Sequence, residues 1–423
     1  MVTRSLFLLL LLLLSAHPPT LAQDEASACQ PADGTPLRIG AIFAQDDLFG
    51  AAAGNPYRGV QAIIAAVNAC GGVNGQPVEL DYIAANNRDQ AQEAIAQLPS
   101  DIPLVIGSGS LAVSEVLSNA ASEQSFIYWE VTESLGAVRQ PQSAFSPLPG
   151  NFLFGMLAAD FINSQLASIL DGQSPRIALI NENRDRAQLI ASGIKHNLDV
   201  APIIEHTYDN NLNDSYALAV DIREENINIV VIAAFENDTD GLWYDLREAD
   251  ANVKAWVQVG GADYRLNTCD RLGNTDGLIS ISTTGSVSTD YRLSLGPIYE
   301  QYVRLYHENF AAAPSEQADL AASGVYLLLR YALPQITGDW TKENIRAAIT
   351  STEVMPPAAF MGEGLFIPPD IGANGYAVAV AQQRQDNQFC TISPSSIATC
   401  SQSLQALPTW RERVTQAKYA ACG

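Results

Sequence analysis

Leu37-Arg38-Ile39-Gly40-Ala41-Ile42-Phe43-Ala44 is a short run of strand-forming residues. After it, Asn55-Pro56 opens a stretch in which Val60, Ile63, Ile64 and Val67 recur at helical spacing. Gly71-Gly72 stops that stretch, and Val78-Glu79-Leu80-Asp81-Tyr82-Ile83-Ala84 resumes the extended pattern. A strand, a helix with one apolar stripe and a second strand form a crossover unit whose strands pair in parallel, with the stripe packed on the sheet. The punctuation agrees with this reading: Asn55 can accept from first-turn N–H groups, Pro56 needs no partner there, and the glycines supply the stop.

The same alternation continues outward. Leu104–Gly107 and Phe126–Trp129 read as further strands, with a helix between them that Ser110 can cap and in which Val113, Val116, Leu117 and Ala120 face a core. After a helix over Asn151–Leu170, a second series follows: Arg176–Asn181, Ile203–Tyr208, Ile229–Phe235, Trp256–Val259 and Leu278–Ser282. Two copies of one architecture are expected, an α/β fold of two Rossmann-like lobes with parallel central sheets joined by a hinge. Helical stretches at Asp290–Phe310 and Gln317–Ala332, then a strand at Tyr376–Gln382, suggest that the chain returns to the first lobe and crosses again. The first lobe is expected to comprise 37–150 plus about 285–345, and the second 151–284 plus about 346–386, with a cysteine-containing extension over 387–423.

At the amino terminus Arg4 precedes the apolar run Leu6–Leu14 and the small-residue exit Thr20-Leu21-Ala22, which marks residues 1–22 as a signal peptide. The run is shorter than the about 20 residues of a transmembrane helix, and no later segment reads as one. An exported, soluble, periplasmic or extracellular protein is expected. Ala26-Ser27-Ala28-Cys29 loosely resembles a lipobox, so a lipid-anchored form is the alternative.

The net charge of -23, with lysine only at 195, 254, 342 and 418, excludes nucleic acid as a partner, because neutralising phosphates needs clustered cations. The acidic residues are dispersed, as on a solvated surface. The six cysteines form no CxxC pair and no metal-spaced Cys/His cluster. In an oxidising compartment they read as disulfides, with Cys390 paired to Cys400 and Cys29 to Cys70. Neither a metal nor a cofactor is expected, and the chain is expected to be a monomer.

Ligands of open parallel sheets bind outside the carboxyl ends of the strands, where helix amino termini direct unpaired N–H groups. The third strand exits into Ser108-Gly109-Ser110, whose hydroxyls and amides suit a carboxylate or carbonyl; capping is the simpler role for Ser110. The fourth exits through Trp129 and Glu130 to Thr132. An aromatic there could stack on a ligand body and a carboxylate could hold an ammonium, against the plainer roles of core tryptophan and salt-bridged acid. In the second lobe Phe235, Glu236 and Asp263 follow strand ends and could add contacts, although each acid could equally be an ordinary loop residue. Catalytic patterns are thin. GxSxG, HExxH, GxGxxG and the phosphate-cradling GxxxxGK are all missing, and His196 and His307 fall within helical patterns. No enzymatic activity is expected, and a secreted α/β hydrolase is the least favoured reading.

Ile39-Gly40-Ala41-Ile42 and the segment Ala65-Ala66-Val67-Asn68-Ala69-Cys70-Gly71-Gly72-Val73-Asn74-Gly75 resemble the opening of type I periplasmic binding proteins, the leucine/isoleucine/valine-binding family of ABC importers. Pro103–Ser108, the Asn151–Asp160 helix and Ile229–Ile232 extend the resemblance, which spans Leu37 to Gln382. It implies a two-lobe trap that closes on an amino acid or amide and delivers it to a membrane permease. A sensor of the same fold that signals to a membrane receptor is the alternative. By motif position the grip falls on Ser110, with Leu111 adjacent, and on Glu130, Val131 and Thr132. Ser108-Gly109-Ser110-Leu111 replaces the family's proline and paired serines, and Tyr128-Trp129-Glu130 replaces small residues. A branched-chain amino acid is therefore not the assured ligand.

Overall fold

The computed structural model describes residues 29–44, 56–132, 142–209, 212–234, 240–260, 275–386 and 388–416. The chain begins with β1 (Leu37–Phe43), α1 (Pro56–Ala69), β2 (Val78–Ala84), α2 (Arg88–Gln97), β3 (Leu104–Ser108), α3 (Leu111–Glu123), β4 (Ile127–Glu130) and β5 (Ala144–Phe145). A second series comprises α4 (Asn151–Gln165), β6 (Ile177–Glu182), α5 (Asp185–Asn197), β7 (Ile204–Tyr208), α6 (Ser215–Glu224), β8 (Ile229–Ala233), α7 (Asp240–Glu248), β9 (Ala255–Val259) and β10 (Ile279–Ser282). The rest is α8 (Thr289–Ser294), α9 (Pro297–Phe310), α10 (Glu316–Leu327), α11 (Lys342–Ser351), β11 (Glu353–Val354), β12 (Leu365–Phe366), β13 (Val380–Gln385), β14 (Gln388–Ser393) and α12 (Trp410–Gln416).

The first sheet has the order β2-β1-β3-β4-β5, with every pair parallel. The second runs β7-β6-β8-β9-β10 in parallel and then adds β13 and β14 antiparallel. Its first five strands repeat the order of the first sheet, so the two lobes are copies of one doubly wound design. Successive strand residues face opposite sides. Ile39, Ala41 and Phe43 pack with α1, α9 and α10, while Ile42, Val105 and Tyr128 pack with α2 and α3. In the second lobe Leu179 and Val231 meet α4 and α5, whereas Ile180 and Ile232 meet α6 and α7. The disulfides Cys29–Cys70 and Cys390–Cys400 form. The first of them occupies the sulfur of Cys29 that a lipid would need.

Several boundaries differ from the sequence pattern, each for a physical reason. The strand expected at Tyr376–Gln382 lies at Val380–Gln385, because its last four residues, Gln382-Gln383-Arg384-Gln385, are buried but polar and invisible to hydrophobic periodicity. Gln383 is satisfied instead by its side chain, whose Nε2 donates to the carbonyls of Gly277 and Gln405 at 3.1 and 2.8 Å. The helix expected over Asp290–Phe310 breaks into α8 and α9 at Gly296, whose φ of 78° ends a right-handed turn. Asn151–Ile169 forms a helical run of 19 residues that is long and apolar enough by composition to cross a membrane, contrary to the expectation of no such segment. Its Phe154, Ala158, Phe161 and Ile162 are buried against the second sheet's core.

The chain passes between the lobes at 146–150, 283–288 and 367–379; the last crossing falls later than the expected 346, because Ile349, Phe360 and Leu365 pack in the core of the first sheet. Leu148 from the first crossing and Val287 from the second share an apolar cluster with Tyr291, Met361 and Val380. Asn374, fully buried, stitches the first crossing to the third. Its Nδ2 donates to the carbonyls of Pro147 and Gly364 at 2.9 and 2.8 Å, and its Oδ1 accepts from the N–H groups of Phe366 and Tyr376 at 2.9 and 3.0 Å.

Candidate functional site

In a doubly wound sheet the strand order reverses between the first and third strands, and the crevice at their carboxyl ends is where ligands bind. In the first lobe that point lies between β1 and β3. The Ala44 N–H donates to the Ser108 carbonyl there at 3.0 Å, which ties the two strand exits together. β3 then turns through Gly109, whose φ of 81° needs a glycine, into α3. Ser110 takes the N-cap position of α3, but its hydroxyl makes no capping hydrogen bond. The first turn of the helix and a half-buried hydroxyl therefore stand together at the switch point, a favourable place for negative charge.

Behind this turn lies Glu130, fully buried at the end of β4. Its Oε1 accepts from the Thr132 N–H at 2.7 Å, the Thr132 hydroxyl at 2.9 Å and the Ser108 N–H at 3.3 Å. Its Oε2 accepts from the Tyr128 hydroxyl and lies 3.3 Å from Ser108 Oγ. Thr132 Oγ1 also accepts from the Gly109 N–H at 2.8 Å, and Ser108 Oγ from the Ser110 N–H at 3.2 Å. One carboxylate thus fastens the β3 turn to the β4 exit. Burial, and after it the neighbouring Glu130 charge, holds the Tyr128 phenol well above its ordinary pKa, so it stays a neutral donor.

Ser108, Ser110, Glu130 and Thr132 are thereby brought into one constellation, and Trp129 is not. As the neighbour of Glu130 on a strand it faces the other side, buried in the core, with its indole N–H donating to the Gly324 carbonyl at 3.1 Å. Tyr128 and Ser114, 3.3 Å from its hydroxyl, belong to the same network and were not singled out from the sequence. The signal was available, because Tyr128 and Glu130 are two apart on a strand and must share a face. Phe235, Glu236 and Asp263 lie outside the described residues. In the second lobe the equivalent switch point lies between β6 and β8. There Glu182 is fully buried and ion-paired with Arg184, and the Thr207 hydroxyl donates to Asn181 Oδ1 at 3.1 Å.

Residues 36–388 match the family described as periplasmic binding protein. A Brucella melitensis "Leu/Ile/Val-binding protein homolog 8" is 23% identical over 355 residues, covering 81% of this chain and 86% of that protein. An ABC transporter substrate-binding protein from Desulfitobacterium hafniense, solved in complex with Leu, superposes with a TM-score of 0.64 at 15% identity over 84% of this chain and 100% of that one. A putative branched-chain amino acid ABC transporter protein from Silicibacter pomeroyi gives 0.68 at 16% identity over 89% of this chain and 100% of that one. The chain belongs to the periplasmic binding protein family and shares the two-lobed type I fold of these solved structures.

Proposed function

We propose that this member of the periplasmic binding protein family is the exported solute-binding component of an ABC importer, closing its lobes on an amino acid or a related small polar solute. The observation that carries the reading is Ser110, a half-buried N-cap whose hydroxyl leaves the α3 terminus uncapped at the switch point of the first sheet. In this reading the hydroxyl and the first-turn amides hold the solute's carboxylate or carbonyl. Thr132 Oγ1, its proton directed to Glu130, accepts from an ammonium or amide. Ser108 and Glu130 position these groups rather than touching the solute, and Trp129 supports them from the core. Phe235, Glu236 and Asp263, which follow β8 and β9 in the chain, are the candidate contacts from the second lobe. Closure then presents a surface to the permease.

The test is a thermal-shift and calorimetric screen of the mature chain against amino acids, amides, ureas and small carboxylates. A ligand at 100 times its Kd stabilises by about 2.7 kcal/mol, a shift of a few degrees. One chemical class should give that shift, and Ser110→Ala should reduce its affinity by about 5- to 150-fold while leaving the ligand-free melting temperature unchanged. A flat screen of folded protein, or binding indifferent to Ser110→Ala, refutes the assignment.

A further inference from the structure

The family match ends at residue 388, yet the structure continues through β14 into a loop closed by the disulfide between Cys390 and Cys400. This loop lies against the second crossing. Ser286 Oγ is 2.9 Å from Thr399 Oγ1 and 3.2 Å from Thr391 Oγ1, and the Thr391 hydroxyl donates to the Ser286 carbonyl. The Ser288 N–H donates to the Ile397 carbonyl at 3.0 Å. Between these bonds Val287 packs in the apolar cluster that contains fully buried Ile397, together with Leu148 from the first crossing. The loop is braced internally, the Thr391 N–H donating to Thr399 Oγ1 at 2.8 Å and the Thr399 N–H to the Thr391 carbonyl at 2.9 Å.

The far side of the loop meets the chain that leads into the third crossing. At Gly362 an added Cβ would stand 3.2 Å from Ile397 Cγ2 and 3.8 Å from Pro394 Cγ, so the Gly362 backbone packs against side chains of the loop. Residues just before Gly362, Ala359 and Phe360, belong to the core of the first sheet, whereas β14 is bonded to the second sheet. The loop therefore sits in the angle between the lobes, bonded to the second crossing on one side and packed against the first-lobe chain ahead of the third crossing on the other. Hinge rotation is absorbed by a few torsions at such crossings. Residues 286–288 are held on the loop by hydrogen bonds at both ends.

We propose that the disulfide-closed loop 390–400 is a hinge wedge that sets the angle and the open-to-closed balance of the two lobes, and so tunes solute affinity without touching the solute. It acts through population shift: a wedge that favours one state by a given factor changes the apparent affinity by up to the same factor.

The experiment uses the ligand-free mature chain and two variants, Ser286→Ala with Thr399→Val, and Cys390→Ser with Cys400→Ser. Amide hydrogen exchange and small-angle X-ray scattering are recorded for each. Exchange at 286–288 and 361–363 is expected to quicken about tenfold, the scale of one lost hydrogen bond, while β6, β8 and β9 keep their protection. The radius of gyration should change with it. The hydroxyl variant keeps the disulfide and remains readable if the cysteine variant does not fold. Unchanged exchange at both segments, an unchanged radius of gyration, or a rise spread across the second sheet would each overturn the proposal, the last by making the loop a staple of one lobe.

Discussion

Glu130 offers the sharpest test of how the first-lobe site is built. In Glu130→Ala, the N–H groups of Ser108 and Thr132 lose their acceptor and, being backbone, cannot rotate to find another. At about 1–3 kcal/mol for each buried donor left unpaired, with the Thr132 and Tyr128 hydroxyls also released, the loss should reach about 3–5 kcal/mol. Glu130→Gln differs in a calculable way. The amide oxygen can keep the Oε1 position and both N–H bonds, while the amide nitrogen faces the Tyr128 and Ser108 hydroxyls, which can turn to accept. Only the charge assistance is lost, about 1–2 kcal/mol. Urea unfolding followed by tryptophan fluorescence gives both values, and calorimetry with a solute bound by the wild type gives the affinity. A Gln variant that folds as stably as the wild type but no longer binds would refute the positioning role, because it would make the charge itself a ligand contact. So would an Ala variant losing less than about 1 kcal/mol.

Asp319, buried on α10, has its pKa pushed up to about 6 from 3.8 by burial, against the opposing effects of Arg292 at 3.2 Å and the Tyr302 hydroxyl at 2.9 Å. A raised folded-state pKa adds stability that is full below the unfolded value and lost as pH rises through the folded one. Urea midpoints should therefore show a decline of roughly 3 kcal/mol attributable to this group between about pH 4 and 6, which Asp319→Asn flattens. Asn374→Ala strands four backbone partners, at Pro147, Gly364, Phe366 and Tyr376, and should lower stability by about 2–4 kcal/mol, read as a fall in melting temperature. At Gly59 a methyl group would fall on the Ala318 carbonyl, so Gly59→Ala should force α1 away from α10 and cost about 1–3 kcal/mol or more in the same assay.

Local patterning in this sequence determined the alternation of strands and helices, the doubling of one architecture and the placing of Ser108, Ser110 and Thr132 at strand exits. Each of those follows from side-chain periodicity and from helix-end chemistry, which act over a few residues. The pairing of Cys390 with Cys400 was legible for the same reason, since they are ten residues apart. What the tertiary structure decided is which side of the sheet each residue serves. Trp129 and Glu130 read as a pair along the chain, yet the pleat sends one into the core and the other into the hydrogen-bond network of the turn. β13 was misplaced because Gln383 and its neighbours are buried through amide hydrogen bonds to residues 277 and 405, which no hydrophobic pattern announces. The contact of the disulfide loop with Ser286 spans more than a hundred residues of chain. Periodicity reports what a residue needs from its surroundings; only the assembled fold specifies which distant group supplies it.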